Sequence, residues 1–213
     1  MEIVPQLEAR ENAPEGTVEH IDAFDLISRL KARDMVVCRT NAPLIKPAFE
    51  CVRRGMKAVI RSDIEKQLLD LIARFDTDNL EEFQVNLNEY FRSEYNRKMD
   101  AGKEMQAELL KDRFDTLNFI IAEGGRIYTV DDLKRKVKSI FGEDVDGIVF
   151  SSIHKAKGLE ANRVFILRPD LMPHKRAKKD FEIAQEKNAK YVALTRSKDT
   201  LIFVEENMED EDA

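Results

Sequence analysis

The chain has 213 residues, with 35 basic and 41 acidic side chains and a formal net charge of -6. Taken at face value, this negative charge argues against a nucleic-acid-binding protein, and the hydrophobic content of 43% excludes a disordered polyelectrolyte. The length is typical of one domain, or of one domain that carries an insertion.

No apolar run approaches the roughly 18 residues that span a bilayer, and the N-terminus has no signal-peptide pattern. We therefore expect a cytoplasmic protein without a membrane partner. The two cysteines, Cys38 and Cys51, lie outside any CxxC motif or Cys/His cluster. This spacing predicts buried free thiols, no disulfide and no metal site.

Over the first 60 residues, short apolar strands alternate with helices. Residues 1–16 show no periodicity and are predicted to be a linker. Asp22 is placed to cap a first helix, and Pro43 suits the first turn of a second helix that runs to Arg54. This alternation is typical of an α/β domain with a parallel sheet. The predicted strands are 17–21, 35–38 and 57–60.

From Asp63 onward the pattern predicts helices alone. Three successive segments place apolar residues on one helical face, and no strand pattern interrupts residues 63–122. We therefore expect a helical insertion over 61–125, followed by a helix over 130–141. Aromatic residues here are expected to pack between helices. The three apolar faces are Ile64, Leu68, Leu71, Ile72 and Phe75; Leu80, Phe83, Leu87 and Phe91; and Leu110, Phe114, Leu117 and Ile121.

After Gly147 the α/β pattern returns. Strands are predicted over 148–153 and 164–167, with a polar turn between them. A helix over roughly 180–197 and a last strand over 201–204 follow. The tail, 205–213, holds six acids and is expected to be disordered.

Two segments that follow predicted strands carry chemically useful side chains. Ligands of parallel sheets bind beyond the carboxyl ends of the strands. The segment 151–160, SSIHKAKGLE, gathers hydroxyls, an imidazole and two ammonium groups, which suit phosphate oxygens. The second segment is Arg39-Thr40-Asn41. From these residues alone, a solvated turn and a surface arginine remain alternatives.

These segments resemble the motifs of UvrD/Rep-type superfamily 1 DNA helicases. SSIHKAKGLEANRVFIL (151–167) resembles motif V, and Gln185-Glu186 with KYVALTRSK (190–198) resembles motif VI. CRTNAPL (38–44) resembles motif IV, and Leu171-Met172-Pro173-His174 resembles the segment that usually follows motif V. The combination of HxAKGLE and YVALTR is highly specific. The resemblance covers about 35–60 and 147–204, and it is only positional over 63–146.

The resemblance implies a fold. Residues 17–60 and 126–204 would form the second RecA-like motor domain, called 2A, which is a P-loop NTPase-like domain without a P-loop. The helical insertion over 61–125 would be a reduced form of the accessory domain called 2B.

The resemblance also implies roles for individual residues. Arg39 and Arg196 would reach the γ-phosphate of ATP, since a guanidinium is a fixed, permanently charged fork for phosphoryl oxygens. Glu160 would bind the nucleotide ribose. The residues that would meet the single-stranded DNA backbone are Ser152, His154 and Lys157. Ser152 stands where the family usually has Thr, and a hydroxyl is retained.

Two motifs of a complete helicase are absent from this sequence. None of the eight glycines belongs to a GxxxxGK[ST] loop, and no apolar strand ends in Asp-Glu to hold magnesium. We therefore expect ATP with Mg²⁺ to be held by a separate N-terminal RecA-like helicase domain. The chain would be the C-terminal motor half of an ATP-dependent 3'-5' DNA helicase, inactive on its own.

Two other hypotheses compete with this one. A stand-alone DNA-binding or regulatory module derived from a helicase would keep the DNA face without ATPase activity. The presence of Arg39, Glu160 and Arg196 favours the helicase. A small-molecule α/β enzyme would need a nucleophile with its base or a cofactor loop, and the sequence shows neither.

The distribution of charge changes the first impression from the net charge. Residues 151–204 hold 12 basic and 6 acidic side chains, while the tail contributes acids alone. The acidic average therefore conceals a basic segment at the motifs where phosphate groups are expected. Within it, Lys175, Arg176, Lys178 and Lys179 either follow DNA or are simply solvated.

Overall fold

The computed structural model describes residues 15–141, 146–174 and 177–206. The strands of these residues form one six-stranded parallel sheet in the order β1-β6-β5-β2-β4-β3. The predicted α/β class with a parallel sheet is thereby confirmed. The strands are β1 (Thr17–Asp22), β2 (Met35–Cys38), β3 (Ala58–Arg61), β4 (Ile148–Ser152), β5 (Ala161–Leu167) and β6 (Ser197–Glu205).

Helices connect these strands. Between Arg61 and Ile148 the described residues contribute helices and no strand of the sheet. None of the helices in the described part of the chain is long and apolar enough to cross a membrane. The helices are α1 (Leu26–Arg29), α2 (Ala42–Arg53), α3 (Ile64–Ile72), α4 (Leu80–Asp100), α5 (Glu104–Glu123), α6 (Val130–Ile140), α7 (Ile153–Ala156) and α8 (Asp180–Leu194), with 3-10 turns at Ala23–Asp25 and Pro169–Leu171.

Local sequence signals account for several of these boundaries. The Asp22 carboxylate accepts a hydrogen bond of 2.7 Å from the Phe24 N–H and so caps the first 3-10 turn, as predicted. Pro43 occupies the first turn of α2, where its missing N–H costs nothing. Gly55 has a φ of +76° just after α2, a conformation that favours glycine and ends the helix.

The sheet is buried on both faces because alternate residues of each strand point to opposite sides. Val36, Phe150 and Phe165 face a large core built with α1 to α6. Val37 and Ile166 face a smaller core built with α7 and α8. All four residues of β2 are buried, as its apolar sequence predicts.

The helices of the predicted insertion share the large core on one side of the sheet, where they pack mainly against α2 and α6. Phe83 of α4 and Leu117 and Ile120 of α5 are fully buried in the same hydrophobic cluster as Ile60 and Phe150 of the strands. The division of the chain into a motor domain and a separate insertion over 61–125 stays a prediction.

Some elements differ from the sequence expectations. The predicted polar turn contains the one-turn helix α7, and β5 begins at Ala161, before the apolar run. The helix predicted to reach 197 ends at Leu194, since β6 pairs with β5 from Ser197 onward. Glu205, placed in the tail, belongs to β6. The remaining tail and most of the predicted linker lie outside the described residues.

The buried face of α5 is wider than predicted. Phe114 and Ile121 are only half-buried, whereas Asp112 and Thr116 are buried beside the apolar residues. The reason is that α5 contacts α2, α3, α4 and α6 together.

Cys38 and Cys51 are free and buried, as expected, and burial raises the pKa of each thiol to about 11.

Candidate functional site

The predicted site residues lie at two opposite edges of the sheet. Cys38 pairs in register with Ser152 and Leu167, so Arg39 and Ser152 lie at the carboxyl edge. Ala161 is opposite Ser197 at the start of β5 and β6, so the preceding residues, Glu160 and Arg196, lie together at the amino edge. The seven residues of β5 separate the two edges by about 20 Å. The structure therefore brings Arg196 and Glu160 together, and it does not bring Arg39 to them.

Arg39 forms a buried ion pair at the carboxyl edge. Its Nε donates to both carboxylate oxygens of Glu186 in α8, at 3.1 and 3.0 Å. The side chains of Arg39 and Glu186 are only 9% and 5% exposed. Removing either side chain would leave the other charge buried and uncompensated, which destabilises the fold.

Glu186 also accepts a hydrogen bond of 2.9 Å from the backbone N–H of His174. Burial by itself would raise the pKa of Glu186, but the hydrogen bonds from Arg39 and from His174 outweigh burial and hold this pKa below its ordinary value. The carboxylate is therefore ionised at neutral pH. It joins α8 to two other segments, the turn after β2 and the chain that follows β5.

A second buried carboxylate holds the same turn from the opposite direction. Asp112 of α5 accepts hydrogen bonds from the backbone N–H of Asn41 at 3.0 Å and of Ala42 at 2.8 Å, and from the Asn41 side-chain amide at 2.8 Å. Ser62 donates its hydroxyl hydrogen to the Asn41 side chain. The turn 39–42 is thus fixed between α8 and α5 of the predicted insertion.

The residues of motif V follow β4. Ser152 is buried at the end of the strand, Lys157 is exposed, and His154 is exposed over only part of its surface. Partial burial of the imidazole lowers the pKa of His154, and the nearby positive charge of Arg39 lowers it further. His154 is therefore mainly uncharged at neutral pH. Gly158 has a φ of +84°, which turns the chain away from α7 toward Glu160.

Arg196 is anchored at the amino edge by main-chain and hydroxyl oxygens. Its guanidinium donates to the carbonyl of Val192 at 2.8 Å, the carbonyl of Leu159 at 3.1 Å and the hydroxyl of Thr195 at 2.9 Å. The side chain is half-buried. No carboxylate neutralises its charge in these contacts, so the guanidinium keeps a net positive charge at the surface.

Glu160 lies beside Arg196 and is exposed. Its carboxylate pairs with Lys198 Nζ at 3.2 Å, and both side chains are more than half exposed. An exposed pair of this kind is worth little and exchanges readily for another partner.

The donor set at the amino edge fits a nucleotide. Arg196 offers a guanidinium to phosphoryl oxygens, and Glu160 offers a carboxylate that can accept hydrogen bonds from ribose hydroxyls. Within the described residues, no group of three or more His, Cys, Asp or Glu side chains could hold a metal ion.

Sequence reasoning missed the parts played by Glu186 and Asp112. Glu186 belongs to the segment that resembles motif VI, but nothing in the sequence identifies a partner 147 positions away. Nothing in the sequence distinguishes Asp112 from the other acidic residues of α5. Lys155 lies in the sequence between His154 and Lys157, the predicted DNA contacts. Its Nζ forms an ion pair with Asp63 Oδ1, at the start of α3, at a distance of 2.6 Å.

The chain is similar to a known protein family over most of its length. Residues 15–207 match the UvrD-like helicase C-terminal domain, which covers almost the whole chain. No curated protein sequence matches the chain. The match agrees with the α/β fold and its six-stranded parallel sheet, as expected for a RecA-like C-terminal helicase domain. The chain therefore belongs to the family of UvrD-like helicase C-terminal domains.

Proposed function

We propose that this chain is the C-terminal motor half of an ATP-dependent 3'-5' DNA helicase. In this proposal Arg196 acts as the arginine finger toward ATP, which is held with Mg²⁺ by an N-terminal RecA-like domain. The observation that carries the proposal is the placement of Arg196 beside Glu160 at one edge of the sheet, in a member of a helicase family. A cytoplasmic location remains part of this expectation.

The anchoring of Arg196 suits such a role. Three oxygen acceptors hold the guanidinium in place, so little reorganisation is needed when a phosphoryl group meets it. A nucleotide supplies the phosphoryl group whose negative charge a finger stabilises during transfer. Glu160 would hold the ribose after releasing Lys198.

The surroundings of Arg39 favour a structural role over contact with the nucleotide. Glu186 holds Arg39 in a buried ion pair, and the Arg39 side chain is only 9% exposed, so contact with a phosphate would weaken that pair. The pair instead fixes α8, the helix that leads to Arg196. Contact between Arg39 and the nucleotide stays a prediction.

Single-stranded DNA would meet Ser152, His154 and Lys157 along motif V. The segment 152–160 starts at the carboxyl edge, passes through α7 and ends beside Arg196 at the amino edge. One continuous segment thus links the proposed DNA contacts to the proposed nucleotide contacts. A shift of this segment on closure of the motor would move both sets of contacts together, which is a physical route for coupling.

The test is Arg196→Ala in the full-length gene product. We expect DNA-stimulated ATP hydrolysis to fall by about a thousandfold or more, the effect of losing an arginine finger. ATP binding, measured with a fluorescent nucleotide, should weaken only several-fold, because the other domain supplies most of the contacts.

Lys46→Ala is the matched control, since it removes an exposed cation of α2 that takes part in none of the proposed contacts and should leave turnover near that of the wild type. Turnover unchanged by Arg196→Ala would contradict the finger assignment. If the full-length protein binds DNA and hydrolyses no ATP, a DNA-binding or regulatory module without ATPase activity replaces the helicase proposal.

A further inference from the structure

A basic cleft opens between the end of α3 and the facing parts of α4 and α5. Its volume is about 520 Å³. Four cationic side chains line it, together with Tyr90 and Glu94. The cations are Arg74, Arg97, Lys98 and Arg113.

The positive charge of this cleft is largely uncompensated. Glu94 is the only acidic residue of its lining, and it pairs with Arg97 at 2.7 Å. The side chains of Arg74, Lys98 and Arg113 form no hydrogen bond or ion pair within the described parts of the chain. The hydrogen bond from Arg97 lowers the pKa of Glu94, and the charges of Lys98 and Arg74 help to lower it. The guanidinium of Arg74 lies over the ring of Tyr90, 5.4 Å from its centroid, so the ring face is already occupied. The cleft therefore suits phosphate groups better than stacked bases.

The cleft lies close to the proposed DNA face of the motor fold. Lys155 of α7 pairs with Asp63 at the start of α3, and Arg74 follows the other end of that helix. The nine residues of α3 span about 14 Å, which equals roughly four phosphates of a strand in duplex geometry. Glu104, at the start of α5, pairs with Lys178 just before α8 at 2.7 Å. A strand that leaves motif V could thus continue to the cleft.

We infer that this cleft is a second nucleic-acid contact, which binds the sugar-phosphate backbone without reading bases. The inference rests on the proposed function, since it extends the same strand beyond motif V. The ligand class is a phosphodiester strand, and its affinity depends on salt because cations on the protein replace condensed counterions. Through this contact α4 and α5 would add to the length of strand that the chain covers.

The experiment compares the double variant Arg74→Ala/Arg113→Ala with the unchanged chain. Binding of a fluorescein-labelled 20-nucleotide single strand and of a 20-base-pair duplex is measured by anisotropy across a salt series. We expect affinity at low salt to fall about tenfold. The slope of log K against log salt should decrease by about 1.4 for the single strand or 1.8 for the duplex. The probe that loses more identifies the strand form bound.

The matched control is Arg92→Ala/Arg126→Ala, which removes two exposed arginines outside the cleft lining. Thermal melts of both variants check folding, and Lys98→Ala repeats the test with a single change. Affinity and slope equal to those of the control variant would overturn the inference. So would preferential binding of poly-L-glutamate over DNA at equal charge concentration, which would identify an acidic protein partner instead.

Lys157→Ala separates this inference from the proposed function. Loss of binding by Lys157→Ala without loss by the cleft variant would refute the cleft alone. Loss by the cleft variant without loss by Lys157→Ala would support the cleft and refute the DNA contacts of motif V. Absence of binding to both probes by the unchanged chain would refute both.

Discussion

The two edges of the sheet hold their arginines in opposite ways. At the carboxyl edge, Arg39 is buried and neutralised by the carboxylate of Glu186. At the amino edge, Arg196 is half-buried and held by neutral oxygens, so its charge stays uncompensated. Both arginines lie within motif-like segments, yet only Arg196 keeps an uncompensated charge that can meet a phosphate. A residue's partners and burial therefore decide its role more than the motif that contains it does.

The largest effect should come from breaking the buried pair. Glu186→Ala leaves the Arg39 guanidinium desolvated and unpaired, so we expect the free energy of unfolding to fall by about 3 to 5 kcal/mol. Urea denaturation followed by circular dichroism measures this change. Arg196→Ala, in contrast, should cost much less stability, since its side chain is half-buried and can be replaced by water.

Two controls sharpen that comparison. Glu89→Ala removes an exposed carboxylate from α4 and should change stability by less than about 0.5 kcal/mol. The double variant Arg39→Met/Glu186→Leu should recover most of the loss, because apolar side chains of similar volume often replace a buried pair without cost. If Glu186→Ala left the free energy of unfolding almost unchanged, the two edges would not differ as described.

An intermediate effect is expected at the other anchor of the turn 39–42. Asp112→Ala leaves the backbone N–H groups of Asn41 and Ala42 without their acceptor, so we expect a loss of about 1 to 3 kcal/mol. The same denaturation assay measures it. Asp115→Ala on the same helix removes only a surface pair with Lys111, worth about 0.3 to 0.5 kcal/mol. Equal losses in the two variants would refute a fixed carboxyl edge.

The smallest effect separates the two exposed residues of motif V. Lys157→Ala should reduce the salt slope of single-strand binding by about 0.7, the value of one phosphate contact. His154→Ala should leave the slope at pH 7.5 unchanged, since the lowered pKa keeps the imidazole neutral. Anisotropy titrations in a salt series measure both slopes. A slope decrease for His154→Ala at this pH would show that the histidine binds as a cation.

Much of the fold could be predicted from local patterns. The buried strand 35–38, the cap at Asp22 and the end of α2 at Gly55 each depend on a few neighbouring residues. The one-turn helix α7 could not be predicted, because four residues carry too little periodicity. The family resemblance pointed to a UvrD-like helicase domain, and the family match confirms this family, while the roles of the individual motif residues stay predictions.

The arrangement of the site was less predictable than its residues. A residue lies at the amino edge of the sheet if it precedes its strand and at the carboxyl edge if it follows its strand. Because β5 and β6 begin several residues before their apolar runs, the sequence does not show where these strands start. The partners of Arg39 and Asn41 come from α8 and α5, far along the chain. Such pairs result from tertiary packing, which no local pattern encodes.

The shared core has a consequence for how this domain can vary. Phe83, Leu117 and Ile120, which lie in the predicted insertion, are buried in the large core on one side of the sheet. Excising residues 64–123 would open that core to water, and a foreign insert would have to reproduce its shape. Exchanging this region between relatives is therefore a redesign of a hydrophobic interior, whereas the exposed turn 101–103 between α4 and α5 tolerates replacement.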